Sequence, residues 1–533
     1  MATAANQKAL GAFYTSHSVA TSLVRWAIAK SSDSVLDPSC GEGVFLDAAR
    51  DRLSRLGNIQ PKIWGIDSDP DALAMAKSSA SACKILHSDF FSLTPELIGQ
   101  FSAVVGNPPF IRYQRFAGDG RRAALHCAAR VGVNLPQLSS SWAPFVVHSV
   151  AFVKPGGRLA MVVPAELGHA KYAQEVLRFL TRQFLDIRIC VFRHKLFPEL
   201  SEDTFLLLAS GQSSQCTRFS ISPFENIESA DLSSESRVHI EVESVRSSRL
   251  RVMHYLLPAK TRHLYTSLSE EEGVRRLGDA ADVGIGYVTG HNDFFHLSSA
   301  ARATWHVPDS CLRPAVTSLA GHRGLVYKRT DWNEQTRSGG KAYLLSLPNV
   351  RNGGLPIAVK KYLEYGKSIG VHSRFKCRVR DPWYSVPHVR VADAFLSYMS
   401  GDLPKLVLNR GHYVAPNTLH LVRFVDSRSS TGFVAAFYSS LTRLSCEMEG
   451  HPLGGGMLKL EPTEAERLLV AMPIPRDTSR LVSEVDGLLR SGSIEPARDL
   501  VDAEVLRKRF GLSATECAQL RDAASFLESW RGH

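Results

Sequence analysis

The chain has 533 residues, 44% of them apolar and 22% charged, with a formal net charge of +11 at pH 7; that length exceeds one ordinary core and implies about two to four domains. No apolar run reaches the roughly 18 residues of a membrane helix, and the start, MATAANQKALGAFYT, lacks the basic and apolar segments of a secretory signal, so a cytoplasmic protein without membrane association is expected. Nine cysteines without a Cys-x-x-Cys pair fit neither a zinc site nor a disulfide framework; no metal is expected, and the basic balance favours a polyanionic partner.

From about residue 17 to residue 210, the apolar runs SVLD, KIWGID, AVVGNPP, RLAMVVP and IRICVF alternate with helical stretches. That alternation predicts an α/β, doubly wound parallel sheet covered on both faces. The first domain is therefore expected over 1–211. Residues 212–243 are rich in Ser and acidic side chains and predict a linker or variable insertion. Residues 244–477, with the Gly- and Pro-punctuated runs VGIGYVTGHNDFF, NRGHYVAPNTLHL and HPLGGGMLKL, predict a mixed α+β domain of short strands and turns. Helical periodicity returns over 478–533, read as a C-terminal extension.

The segment VLDPSCGEGVFLDAA, residues 35–49, is a short apolar strand ending in Asp37, a Gly-containing turn and a helix. Ligands of open parallel sheets sit beyond the carboxyl ends of the strands, and Gly41 and Gly43 permit close backbone approach. The spacing is neither Gly-x-Gly-x-x-Gly nor a P-loop. KIWGID ends in Asp67, placed to accept hydrogen bonds from ribose hydroxyls, and HSDFF supplies Asp89 and Phe90 for an adenine amine and ring face. Any one of these acids alone reads as a helix cap or a solvated loop residue. Three acids ending three successive strands resemble the class I methyltransferase pattern. The resemblance implies S-adenosylmethionine as cofactor, with Asp37 near its methionine end, Asp67 at the ribose, Asp89 and Phe90 at the adenine, and Pro38, Cys40, Gly41, Gly43 and Ser68 also among the residues that bind it.

The fourth strand runs into AVVGNPPFIRYQRF, residues 103–116. Both prolines fix φ, and Pro108 restricts Asn107 as well, so Asn107-Pro108-Pro109-Phe110 is a rigid turn. An amine conjugated to adenine is a poor nucleophile, and acceptors that localise its lone pair must be held in advance. The Asn107 side-chain oxygen and the Pro108 carbonyl can take its two N–H groups, with Phe110 stacked on the base. A base in a duplex must be flipped out to reach such a pocket.

With GAFYTSHSVATSLVRWA at residues 11–27 preceding these motifs, the chain resembles the gamma-class N6-adenine DNA methyltransferases of restriction–modification systems. The resemblance implies that Phe13, Tyr14 and Thr15 wrap the methionine end of the cofactor and that Phe197, in HKLFPELSEDTFLLL, forms a second face of the adenine clamp, although an ordinary apolar anchor is an equal reading of Phe197. It also implies that the second domain reads double-stranded DNA, with Asn292, Arg410, His412 and Lys459 as candidate base readers. Partners would be duplex DNA and, in phage defence, a separate restriction endonuclease or other defence-system subunits. An RNA adenine or guanine methyltransferase is the alternative; the roughly 300 residues after the catalytic region favour the DNA enzyme. A silent binding module is disfavoured because Asn107, Pro108 and Phe110 are all present.

Overall fold

The computed structural model describes residues 15–79, 83–111, 115–200, 203–247, 250–347, 354–401, 403–453 and 456–531. Two compact units divide the chain, Met1–Leu257 and Pro258–Gly532.

In the first unit, nine strands form one sheet: β1 (Val35–Asp37), β2 (Ile63–Asp67), β3 (Lys84–His87), β4 (Phe101–Gly106), β5 (Val153–Pro164), β6 (Phe184–Phe192), β7 (Thr204–Gln212), β8 (Arg218–Phe224) and β9 (Val238–Ile240), in the spatial order β3-β2-β1-β4-β5-β7-β6-β8-β9. The first five strands of that order run parallel, and β7 is inserted antiparallel between β5 and β6. This is the class I S-adenosylmethionine-dependent methyltransferase core, mixed where sequence alternation predicts a wholly parallel sheet. The antiparallel strand has no local signature, because TFLLL is as apolar as its parallel neighbours, being buried on both faces.

Three helices position the carboxyl end of the sheet. Helix α1 (His17–Ala27) is capped by Ser16, which accepts a 3.4 Å hydrogen bond from the Val19 amide, and buries Val19, Ala20, Leu23, Val24 and Ala27 along one stripe. Helix α2 (Val44–Arg55) starts from Gly43 at φ +97°, after Gly41 at φ +51°, and the left-handed backbone explains the glycines of the first turn. These two helices share an apolar cluster with β1, β4, β5, β6 and β7. Helix α3 (Pro70–Ser79) follows β2.

The expected linker at 212–243 differs from what is observed: β8 pairs in parallel with β6, and β9 closes the edge. Ser220 and Ser222 of β8 are buried, so a Ser-rich composition here accompanies a strand whose core face is carried by Phe219 and Ile221. The boundary lies at Leu257 instead.

The second unit holds a five-stranded sheet in the order Ala281–Ile285, Leu419–Phe424, Ala394–Ser397, Leu406–Asn409, Val326–Tyr327, antiparallel except for the last pairing. Its α+β character matches the expectation. The C-terminal helices are part of this core and not an appendage. Asp486 accepts from the Leu325 amide at 2.7 Å, Asp502 accepts from the Ser440 amide at 2.8 Å, and Arg531 and Glu447 form a buried ion pair at 2.9 Å. All nine cysteines are free thiols, and among the described residues no helix is long and apolar enough to cross a membrane.

Candidate active site

The carboxyl ends of β1 and β4 are adjacent strands' ends, and the two halves of the expected site meet there. Asp37 closes β1 and is fully buried; its Oδ1 accepts from the Ser39 amide at 3.1 Å, and its Oδ2 is buried without a hydrogen bond. A Cβ on Gly106, the last residue of β4, would stand 2.8 Å from that Oδ1. Glycine therefore lets the turn after β4 approach the carboxyl group. Burial pushes the Asp37 pKa up to about 8, against the Ser39 hydrogen bond and with help from the negative Asp67. A buried, partly unsatisfied carboxyl suits a cationic partner, which is the chemistry of the ammonium and sulfonium of S-adenosylmethionine.

Asp67 ties two turns together, accepting from the Gly41 amide at 2.8 Å and the Asp69 amide at 3.0 Å. Each carboxylate oxygen keeps further acceptor capacity for a ribose hydroxyl. Ser68 is exposed beside it. Pro38 is buried, and Cys40 lies in the core beneath the turn at 4% exposure, where burial drives its thiol pKa far up. A Cβ on Gly65 would come within 2.9 Å of the Cys40 Sγ, so this cysteine packs against β2. Asp89 is exposed and caps a short turn by accepting from the Phe91 amide at 3.0 Å. Phe90 is 4% exposed and packs in an aromatic cluster, with ring centroids 4.9 Å from Phe145, 4.7 Å from His148 and 5.0 Å from Phe152. An apolar ring after a strand end finds more contact in that core than at a rim.

The Asn-Pro-Pro-Phe turn is held from both sides. The Asn107 Nδ2 donates to Thr15 Oγ1 at 3.1 Å, and Ser39 Oγ donates to the Asn107 carbonyl at 3.1 Å. The segment before α1 thus touches the end of β4. Phe13 and Tyr14 lie outside the described residues. Ser141, 2% exposed at the start of the helix α4 (Trp142–Val150), donates to the Pro109 carbonyl, accepts from the Ile111 amide at 2.8 Å, and its own amide donates to the Ile111 carbonyl at 3.0 Å. Ser141 was not singled out by the sequence. The run of serines at 139–141 was its signal, since a buried serine beside a Pro-Pro turn replaces the hydrogen bonds that prolines cannot make. Next to it, Trp142 Nε1 donates to Glu166 at 3.0 Å and to Tyr172 at 2.9 Å, a network equally unforeseen.

Phe110 is half-buried against the apolar cluster, whereas Phe197 belongs to that cluster at 2% exposure. Among the described residues no group of His, Cys, Asp and Glu is arranged to hold a metal ion.

In the second unit, Arg410 and His412 are exposed on one turn after the strand Leu406–Asn409. Asn409 locks that turn, donating to the Ala392 and Tyr413 carbonyls at 2.9 Å each and accepting from the Tyr413 amide at 3.0 Å. Asn292 is exposed on a separate turn, accepting from Thr289 Oγ1 at 2.6 Å. Lys459 pairs with Glu461 at 2.5 Å and covers the Tyr398 ring, so its charge is matched within the unit.

Residues 1–208 match the model of the family N-6 DNA Methylase, and residues 249–506 match that of Type II methyltransferase M.Eco57I, C-terminal domain. The chain is 20% identical to Type II methyltransferase M.AccI of Acinetobacter calcoaceticus over 479 residues, covering 87% of this chain and 85% of that one. It is 22% identical to Type II methyltransferase M.XamI of Xanthomonas campestris pv. amaranthicola over 487 residues, 86% and 85% of the two chains. The fold is shared with the Type IIL restriction-modification enzyme MmeI in complex with DNA, at a TM-score of 0.58 and 11% identity over 96% of this chain and 75% of that one. The first unit thus resembles the N-6 DNA methylases and the second the C-terminal domain of a Type II methyltransferase, and the relatives that align with most of the chain are Type II methyltransferases.

Proposed function

We propose that this protein is a site-specific, gamma-class methyltransferase that modifies the N6 amine of an adenine flipped out of duplex DNA. The observation that carries the reading is the turn Asn107–Phe110, anchored through Thr15 and Ser141 and placed by Gly106 against Asp37. Asp37 would face the positive methionine end of the cofactor, and Asp67 its ribose. When bound there, S-adenosylmethionine supplies an electrophilic methyl group. Asn107 Oδ1 and the Pro108 carbonyl would accept the two N–H groups of the target amine, drawing its lone pair out of conjugation; their value lies in being fixed before the base arrives. Phe110 would stack on the flipped base. The amine sheds a proton to water after transfer, so no general base is required of the chain. The exposed turn of Arg410 and His412, made rigid by Asn409, supports base reading by the second unit, in a cytoplasmic restriction–modification or phage-defence setting. Incubation of the purified protein with tritiated S-adenosylmethionine and either mixed-sequence duplex DNA or RNA tests this. Label in duplex DNA as N6-methyladenine is expected; label confined to RNA or protein would overturn the reading.

A further inference from the structure

At the other end of the sheet, the row of side chains beneath α1 and α2 changes character. Alternate strand residues share a face, so Arg158 lies in the row of Ala160 and Val162, and Arg188 in the row of Cys190, all three apolar residues belonging to the buried cluster. Beyond that cluster is a cavity of about 500 Å³ lined by Arg25, Arg52, Arg158, Arg188, Arg218 and Arg237, with Asp186 as the one carboxylate among its lining residues. Arg158 is paired with Ala103 and Met161 with Gly106, which puts the cavity about 10 Å along the strands, at ~3.3 Å per residue, from where the Asn107 turn begins.

The charges there do not balance. Asp186 Oδ2 already meets two of the arginines, Arg218 at 3.2 Å and Arg237 at 3.4 Å, and Arg237 also pairs with the exposed Glu235 at 2.7 Å, so these two carboxylates are shared by two of the six guanidinium groups. Arg158 donates to the Trp26 carbonyl at 2.5 Å, and Arg188 donates to the carbonyls of Leu232 and Ser234 at 2.7 Å each. Carbonyls orient a guanidinium without neutralising it. Arg188 is only 5% exposed, burial disfavours its charged form, and Arg237 Nε is buried without a hydrogen bond. Arg188 is buried, Arg52, Arg158 and Arg237 are half-buried and Arg25 and Arg218 are exposed at the rim, and holding like charges together around a partly enclosed volume is costly unless an anion joins them. A core built only for stability has no use for six guanidinium groups around an open volume.

We propose that this cavity binds a small anion carrying two or more phosphate groups, inorganic or nucleoside-linked, at a site separate from the Asn107 turn. Guanidinium forks match phosphate oxygens in pairs. The volume falls within the roughly 300–1,000 Å³ of small-molecule sites, and Trp26, Leu208 and Leu232 offer an apolar wall for a base or other attached group. The sequence gives no motif for it, because the six arginines come from six separate segments.

Calorimetric titration of the full-length protein at low salt with sodium tripolyphosphate, and separately with ATP, tests the proposal. Saturable one-to-one binding of at least one probe is expected. Tighter binding of ATP than of tripolyphosphate would identify a nucleoside-linked ligand, and equal binding an inorganic one. The double variant Arg25→Gln, Arg218→Gln changes two exposed side chains and should keep the wild-type circular dichroism and cofactor affinity while weakening the anion tenfold or more. Absence of saturable binding by both probes, or undiminished binding in the folded variant, would overturn the proposal. So would a variant that loses affinity for duplex DNA when neither small anion binds the wild type, since the arginines would then serve the DNA backbone.

Discussion

Thr15 and Asn107, 92 positions apart in sequence, are joined by a 3.1 Å hydrogen bond from the Asn107 Nδ2 to the Thr15 hydroxyl. This bond fixes which way the carboxamide faces and so couples the segment ahead of the first helix to the turn proposed to hold the target base. Thr15→Val removes the acceptor at nearly constant volume. Its maximal rate of methyl transfer should fall about two- to tenfold, as expected for one hydrogen bond, and Thr15→Ser should restore it. Steady-state kinetics on duplex DNA check this; equal rates in Thr15→Val and wild type would detach the anchor from catalysis.

The Asp37 carboxyl, raised to about 8 by burial first and by Asp67 in addition, holds a proton near neutrality in the free protein. A group whose folded pKa lies above its unfolded value contributes stability below the unfolded pKa, near 4, and loses that contribution as pH climbs through about 8. Asp37→Asn should therefore flatten the decline in urea-unfolding stability between about pH 4 and pH 8. If a cationic cofactor binds beside Asp37, it favours the carboxylate, and binding at pH 7 should release protons. Calorimetry of S-adenosylmethionine binding in buffers of different ionisation enthalpy measures that release, which should vanish in Asp37→Asn.

The unit boundary gives a third expectation. A fragment ending at Leu257 keeps all nine strands of the first sheet, while one ending near residue 215 loses β8 and β9 and uncovers the Ile187, Ile189 and Phe192 edge of β6. The longer fragment should unfold cooperatively and the shorter one should aggregate or lack a cooperative transition. Removing the second unit should also abolish sequence discrimination of typically 10³-fold or more, because base-edge contacts specify a site. Circular dichroism melts and competition with scrambled duplexes check both parts.

Much of the first unit is legible in the sequence because its strands are apolar runs at regular spacing, ended by Asp37, Asp67 and Asn107 where the chain must turn. What is not legible depends on contacts made far away. TFLLL carries no mark of its antiparallel direction, and Phe90 and Phe197 cannot be told from exposed stacking rings until their neighbours are known. The role of Ser141 emerges only when α4 is packed against the proline turn, and the serine-rich stretch before β9 conceals a strand because its partners lie more than 30 residues away. In the second unit, Lys459 looks like any basic residue on a Gly-rich hairpin until Glu461 is seen to hold it.

Sequencing that detects modified bases, applied to genomic DNA from cells expressing the wild-type chain or Asn107→Ala in a host without other adenine methylation, tests the central claim most directly. The account predicts N6-methyladenine at one short recurrent motif with the wild type and none with Asn107→Ala, whose fold and cofactor affinity should be unchanged. Unmodified DNA with the wild type, or the same modified motif with Asn107→Ala, would contradict it.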